Sequence, residues 1–142
     1  MIQEQIQIEA PLPRVYDVFA VLSHWKAALP DVLGIEVLYD DGRHQEFLMT
    51  VERPAGPETI RGIRYLDQPD CIELFQPVPP PGFRRMCGSW HFKQVGASTE
   101  VRATRVFDLE DPGATAVVSA KLRQFLSTNL GLFKSYIEHG SD

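Results

Sequence analysis

The 142-residue chain offers few groups able to do chemistry, and their types narrow what that chemistry can be. The histidines His24, His44, His91 and His139 and the cysteines Cys71 and Cys87 fall in no metal-ligand spacing. His91 and Cys87 share a strand face but lack further ligands, so no metal site is expected. No Ser–His–Asp or Cys–His arrangement can be picked out either. His24 adjoins Trp25 and could move protons, because imidazole titrates near neutrality; the competing reading is a plain surface residue. What remains is an amide and several guanidiniums placed among apolar residues. Asn129 interrupts an apolar helical stripe, and a buried amide without partners costs roughly 1–3 kcal/mol. It must either bond neighbouring protein groups or face a polar ligand or pocket water. Arg61 and Arg64 sit on opposite faces of one strand: Ile60, Gly62, Arg64 and Leu66 share one side, Thr59, Arg61, Ile63 and Tyr65 the other. Alternation alone leaves open which face is inside. Arg105 shares a face with Ala103 and Phe107 and is a candidate second cation.

These groups need elements to hold them. Ile2, Ile6 and Ile8 alternate with polar residues, the period of a half-buried strand. Val15, Val18, Phe19 and Leu22 then recur at helical spacing after Pro13, which suits a first helical turn. A second short helix is expected from Ser23 to about Leu29. Six strands follow: 35–39, 45–51, 59–66, 71–76, 84–95 and 100–109. Turn signals at Asp40-Asp41-Gly42, Pro54-Ala55-Gly56-Pro57, Asp67-Gln68-Pro69-Asp70 and Gly96-Ala97-Ser98 separate most of them. Pro77-Val78-Pro79-Pro80-Pro81-Gly82 cannot join a ladder and is a loop. From Ala114 the period changes to 3.6, with Val118, Leu122, Phe125, Leu126, Asn129, Phe133 and Tyr136 or Ile137 on one face of a helix of about six turns.

The short turns predict an antiparallel sheet, and only the last helix is long enough to cover its apolar face. The expected fold class is α+β: a helix-grip fold, with a seven-stranded curved antiparallel sheet wrapped around the C-terminal helix and two short helices after strand 1. The space between sheet and helix is a natural place for an apolar ligand cavity. Residues 1–142 are expected to form a single domain. The composition is 44% hydrophobic and 23% charged with a net charge of −5, which disfavours nucleic acid as a partner. No apolar run approaches a membrane span. Met1-Ile2-Gln3-Glu4 has neither the basic start nor the apolar stretch of a signal peptide, so a cytoplasmic location is expected. Cys71 and Cys87 are expected to be buried thiols rather than a bridge.

Ile6-Gln7-Ile8-Glu9-Ala10-Pro11, Val15-Tyr16-Asp17-Val18 and Trp25 resemble the opening of the START/Bet v 1-like (SRPBCC) superfamily. More narrowly they resemble the bacterial polyketide aromatase/cyclases (polyketide cyclase/dehydrase family). The likeness continues through Gly62-Ile63-Arg64-Tyr65-Leu66-Asp67, Met86-Cys87-Gly88-Ser89-Trp90, Ser98-Thr99-Glu100-Val101, Phe107-Asp108-Leu109 and Thr128-Asn129-Leu130. It spans nearly the whole chain.

The resemblance implies an enzyme that takes a poly-β-ketone from an acyl carrier protein, closes a ring by intramolecular aldol reaction and dehydrates it, with no metal or redox cofactor. It places the family's pocket arginine on Arg64, as the catalytic group stabilising an enolate oxygen. It makes Trp25, Met86, Trp90, Arg105, Phe107 and Asn129 substrate-binding, the tryptophans serving equally as core. At Arg105 the family more often has a neutral polar residue. The chain also departs from it at Val32, where some relatives have a pocket tyrosine, at Gly62, where they have a serine or similar group, and in the proline-rich loop. The alternative function is non-catalytic binding of a lipid, quinone or other free hydrophobic small molecule, as in coenzyme-Q-binding relatives. A ribosome-associated interaction module is a third reading, which the acidic charge opposes. A homodimer is left open.

Overall fold

The computed structural model describes residues 1–139. The alternating segments form β1 (Ile2–Ile8), β2 (Val32–Asp40), β3 (His44–Arg53), β4 (Gly56–Asp67), β5 (Cys71–Phe75), β6 (Phe83–Val95) and β7 (Ser98–Leu109). Helices α1 (Leu12–Ala20) and α2 (Ser23–Ala28) follow β1, and α3 (Thr115–His139) closes the chain after a 3₁₀ turn at Pro112–Ala114. The strands make one antiparallel sheet in the order β1-β7-β6-β5-β4-β3-β2. The first strand therefore pairs with the last, and α1 and α2 carry the chain from one edge of the sheet to the other. The helix-grip architecture expected from the sequence is the one observed.

Local chemistry accounts for the joints. At the β2–β3 turn, the Asp41 carboxylate accepts from the backbone N–H of Arg43 (2.9 Å) and His44 (2.7 Å), and Gly42 takes φ +86°, a conformation that costs a glycine little. β7 starts two residues earlier than expected because Ser98 and Thr99 are tied back to the end of β1. Ser98 Oγ donates to Glu9 (2.6 Å) and Thr99 Oγ1 to the Ala10 carbonyl (2.8 Å). α1 buries Val15, Val18 and Phe19, whose i, i+3, i+4 spacing puts them on one face.

α3 is fastened to β1. Lys134 Nζ donates to the Gln7 carbonyl (2.7 Å), Glu138 accepts from the Glu9 N–H (2.7 Å), and Arg123 approaches Glu4 (3.4 Å). Only its second half has a packed stripe: Leu126, Leu130, Phe133 and Ile137 are buried, while nothing from Thr115 to Phe125 is. The expected stripe thus splits in two. Ile137 enters the core and Phe133 is buried while also reaching the edge of a void, whereas Leu122, Phe125 and Asn129 border that void with less burial. The cysteines depart from expectation: Cys71 and Cys87 are free but only half-buried, since alternation from inward-facing Ile72 and Met86 turns both to the outer face.

A candidate active-site cavity

Between the concave face of the sheet and the first half of α3 lies a cavity of about 360 Å³. Its walls come from every layer. Trp25 from α2, Phe47 and Met49 from β3, Ile60 and Gly62 from β4, and Met86 and Trp90 from β6 meet Leu122, Leu126 and Asn129 of α3. Gln76, Pro80 and Phe83 bound it on the side of the proline-rich loop, and Asp31, Arg53, Glu58 and Lys121 bring charge to its rim. Trp25 and Trp90 meet edge to face, with ring centroids 5.6 Å apart. The volume suits a compact organic ligand.

Arg105 is the cation of this cavity. It pairs with Gly88 across β7 and β6, and Gly88 pairs in turn with Leu74 of β5, so the three form one inward-facing row. A Cβ on Gly88 would lie 2.6 Å from Arg105 Nη1 and 2.8 Å from its Cδ. The side chain therefore lies across β6 in space that only glycine leaves free. Its Nη1 donates to the Thr104 carbonyl (2.7 Å), and its guanidinium carbon stands 5.0 Å from the Trp90 ring centroid, a cation–π contact. Among the described residues it has no ion-pair partner. Burial pushes its pKa down to about 10, so it stays cationic at neutral pH.

Arg64 occupies a different place. It points inward, as the resemblance implies, but it does not border the cavity. The rings of Trp25, Phe47 and Trp90, with centroids 5.1, 5.8 and 5.9 Å from its guanidinium carbon, screen it. Four of its five N–H donors are consumed by the fold. Nη1 donates to the Phe19 carbonyl (2.8 Å), Nη2 to the Ala20 carbonyl (2.7 Å), and Nε and Nη2 both to Gln45 Oε1 (2.9 and 2.7 Å). Phe19 and Ala20 close α1, whose last carbonyls lack intrahelical partners, so the guanidinium caps that helix. Burial lowers its pKa to about 9, with Tyr16 and Asp40 pulling the other way. The expectation that Arg64 projects into the cavity is corrected: the face is right, the depth is not.

Sequence reasoning missed Gln45, which is 3% exposed and stands opposite Arg64 in the β3–β4 register. Its Nε2 donates to the Ala20 carbonyl (3.0 Å) and to Asp40 (3.1 Å). The signal was available: Gln45 heads the inward set Phe47, Met49, Val51 and is its one polar member. Gln76 was also missed. It continues the inward alternation of Ile72 and Leu74, and its Oε1 is buried without a hydrogen-bond partner.

The other expected residues divide. Trp25, Met86, Trp90, Arg105 and Asn129 all border the cavity. Asn129 is half-buried and its amide makes no hydrogen bond among the described residues, so of its two readings the structure favours the one that faces the void. Phe107 does not border it; opposite Met86, it packs instead against Phe83, centroids 5.7 Å apart. Gly62 borders the cavity, but the space left by its missing side chain is taken by the Phe47 ring, whose Cζ would stand 2.5 Å from an added Cβ. His24 lies outside the cavity, bonded to the Tyr136 hydroxyl (2.8 Å) and 3.6 Å from Asp17.

This architecture recurs in solved structures. A START superfamily protein from Mycobacterium smegmatis superposes with a TM-score of 0.84 at 14% identity, over 96% of each chain. The di-domain ARO/CYC StfQ of the steffimycin biosynthetic pathway gives 0.82 at 20% identity, over 96% of this chain and 50% of that one. In sequence, the actinorhodin polyketide synthase bifunctional cyclase/dehydratase of Streptomyces coelicolor is 28% identical over 128 residues, 89% of this chain. The chain spans 39% of that relative's length. Residues 8–131 match the family described as polyketide cyclase / dehydrase and lipid transport, and the chain belongs to that family.

Proposed function

We propose that the chain is a polyketide aromatase/cyclase, closing and dehydrating a ring of a poly-β-ketone inside the cavity, with Arg105 as its catalytic residue. The observation that carries this reading is a buried guanidinium facing a largely apolar cavity with most of its donors unclaimed by the described residues. Kinship with a cyclase/dehydratase supports both halves of the reaction.

The chemistry follows from the groups present. A methylene between two ketones is acidic, and guanidinium donors on a ketone oxygen stabilise the enolate formed when its proton leaves to solvent at the mouth. The enolate carbon then attacks a second ketone carbon. One C–C bond forms, the second oxygen takes a proton, and the resulting hydroxyl departs as water with the neighbouring C–H proton. Trp25, Met86 and Trp90 hold the chain bent, which removes entropy cost from closure of one ring over others. The Asn129 amide orients a ketone oxygen. An acyl carrier protein delivers the chain through the charged rim, and the setting is the cytoplasm. Arg64 has no role at the reacting atoms.

Reconstitution with a minimal polyketide synthase and carrier protein tests this. Arg105→Gln should lower the rate of the directed product on the order of 10²-fold, the scale for losing a preorganised donor, and leave spontaneous cyclisation products. An unchanged product distribution would remove the mechanism.

A second reading, a non-catalytic carrier of a lipid or quinone, draws support from the walls themselves: the carboxylates bordering the cavity, Asp31 and Glu58, belong to its rim. Native mass spectrometry of protein purified from its host separates the two, since a stoichiometric lipid or quinone would favour the carrier.

A further inference from the structure

The cavity holds a buried positive charge, Arg105, that has no ion-pair partner among the described residues. Arg105 spends one hydrogen bond on the carbonyl of its own neighbour, and its remaining donors have no acceptor among the described residues. A second polar group nearby is also unsatisfied. Gln76 Oε1 is buried, borders the same cavity and accepts from nothing. The register relates the two. Arg105, Gly88 and Leu74 form one row, and Gln76 lies two residues beyond Leu74 on the same face, a step of about 7 Å at ~3.3 Å per residue. Because the Arg105 side chain crosses β6 over Gly88, its charge is brought one strand nearer to Gln76. A buried cation without a counter-ion and a buried acceptor without a donor are each costly, and one ligand can satisfy both.

We propose that the cavity selects organic anions: a compact aromatic or apolar body whose delocalised oxyanion, a carboxylate or a β-diketone enolate, lies on the Arg105 guanidinium while a hydroxyl of the same ligand donates to Gln76 Oε1. This rests on the cavity being the reaction site, and it specifies the charge state in which the substrate or product is held. A carboxylate would mark a released acid product. An enolate would mark a substrate bound already ionised.

Isothermal titration calorimetry on the intact protein tests it with 4-hydroxy-2-naphthoate, its methyl ester, 2-naphthoate and 1-phenyl-1,3-butanedione. At neutral pH the hydroxynaphthoate should bind at least tenfold more tightly than its ester. Arg105→Gln should erase that preference while changing ester affinity less than threefold, and Gln76→Leu should erase the preference for the hydroxylated acid over 2-naphthoate. If the enolate is the ligand form, affinity for the diketone rises as the pH passes the diketone's own ionisation, and stays flat in Arg105→Gln. If only the carboxylate is held, the acid preference appears without that rise. Equal binding of acid and ester by the wild-type protein overturns the proposal, and that comparison needs no variant to fold. Acid preference surviving in Arg105→Gln overturns it as well. Either result leaves the cyclisation assay to stand or fall on its own, because that assay follows a carrier-bound chain and reads product distribution rather than affinity.

Discussion

Replacing Arg64 by methionine should damage the fold, not the chemistry. The guanidinium makes four hydrogen bonds, two to carbonyls at the end of α1 and two to Gln45 Oε1. After Arg64→Met, the Phe19 carbonyl still accepts from Trp25 Nε1 (3.0 Å) and the Ala20 carbonyl from Gln45 Nε2 (3.0 Å). Gln45 Oε1 loses both its donors and becomes a buried orphan, which costs about 1–3 kcal/mol. The charge-assisted bonds to the two carbonyls add about 1.5 kcal/mol or more each, and relief of the guanidinium's own desolvation offsets part of the sum. A net loss of about 2–4 kcal/mol is expected, or roughly 8–16 °C in Tm for a domain of this size. Urea unfolding of Arg64→Met, Gln45→Leu and the double variant isolates the interaction. Because the double variant removes the orphan acceptor with its donor, it should cost about 1–3 kcal/mol less than the two singles added. If Arg64→Met melts within a degree of wild type yet loses directed cyclisation, the guanidinium is reaching the substrate and the structural assignment is wrong.

Arg105 should behave in the opposite sense. Arg105→Met exchanges an uncompensated buried charge for an apolar side chain, so the ligand-free protein should melt no lower than wild type and up to several degrees higher by calorimetry, because such exchanges are often neutral or stabilising by about 1–4 kcal/mol. A Tm several degrees lower would mean that the fold depends on this charge. At the β2–β3 turn, two backbone N–H groups are the main cause holding the Asp41 carboxyl well below its ordinary pKa. A depressed carboxyl pKa contributes stability that is present above the unfolded value near 4 and is lost as the pH falls toward the folded one. The Tm gap between wild type and Asp41→Ala should therefore be widest near neutrality and narrow below about pH 4. A gap that stays constant down to pH 2 would mean that the ionised carboxylate contributes nothing.

Much of the fold was legible because its strands alternate cleanly and its turns carry distinctive residues. β1, β6 and the Asp40-Asp41-Gly42 turn were readable from spacing alone. β2 was read three residues short at its start, where the pairing with β3 shifts between Val32 and Gly34 and breaks the alternation that would have announced it. The α3 stripe was read as continuous because periodicity reports which side of a helix is apolar. It does not report whether a core or a void lies opposite. Leu122 and Ile137 therefore look alike in the sequence, and in the structure one borders the cavity at half burial while the other is buried in the core away from it.

The two arginines show where sequence reading of the site reaches its limit. Alternation assigns a face, and both Arg64 and Arg105 took the inward one. What separates them is cross-strand register, which sets Arg64 beside Gln45 and Arg105 beside Gly88. Gln45 and the end of α1 take four of the first guanidinium's five donors, so burial there is largely compensated. Gly88 offers the second only space, and among the described residues it has no acceptor beyond the Thr104 carbonyl. Burial alone would rank Arg64, at 0% exposed, above Arg105, at 8%, as the functional cation. Counting donors reverses the order, because a guanidinium can act on a ligand only with N–H groups the protein has not already claimed.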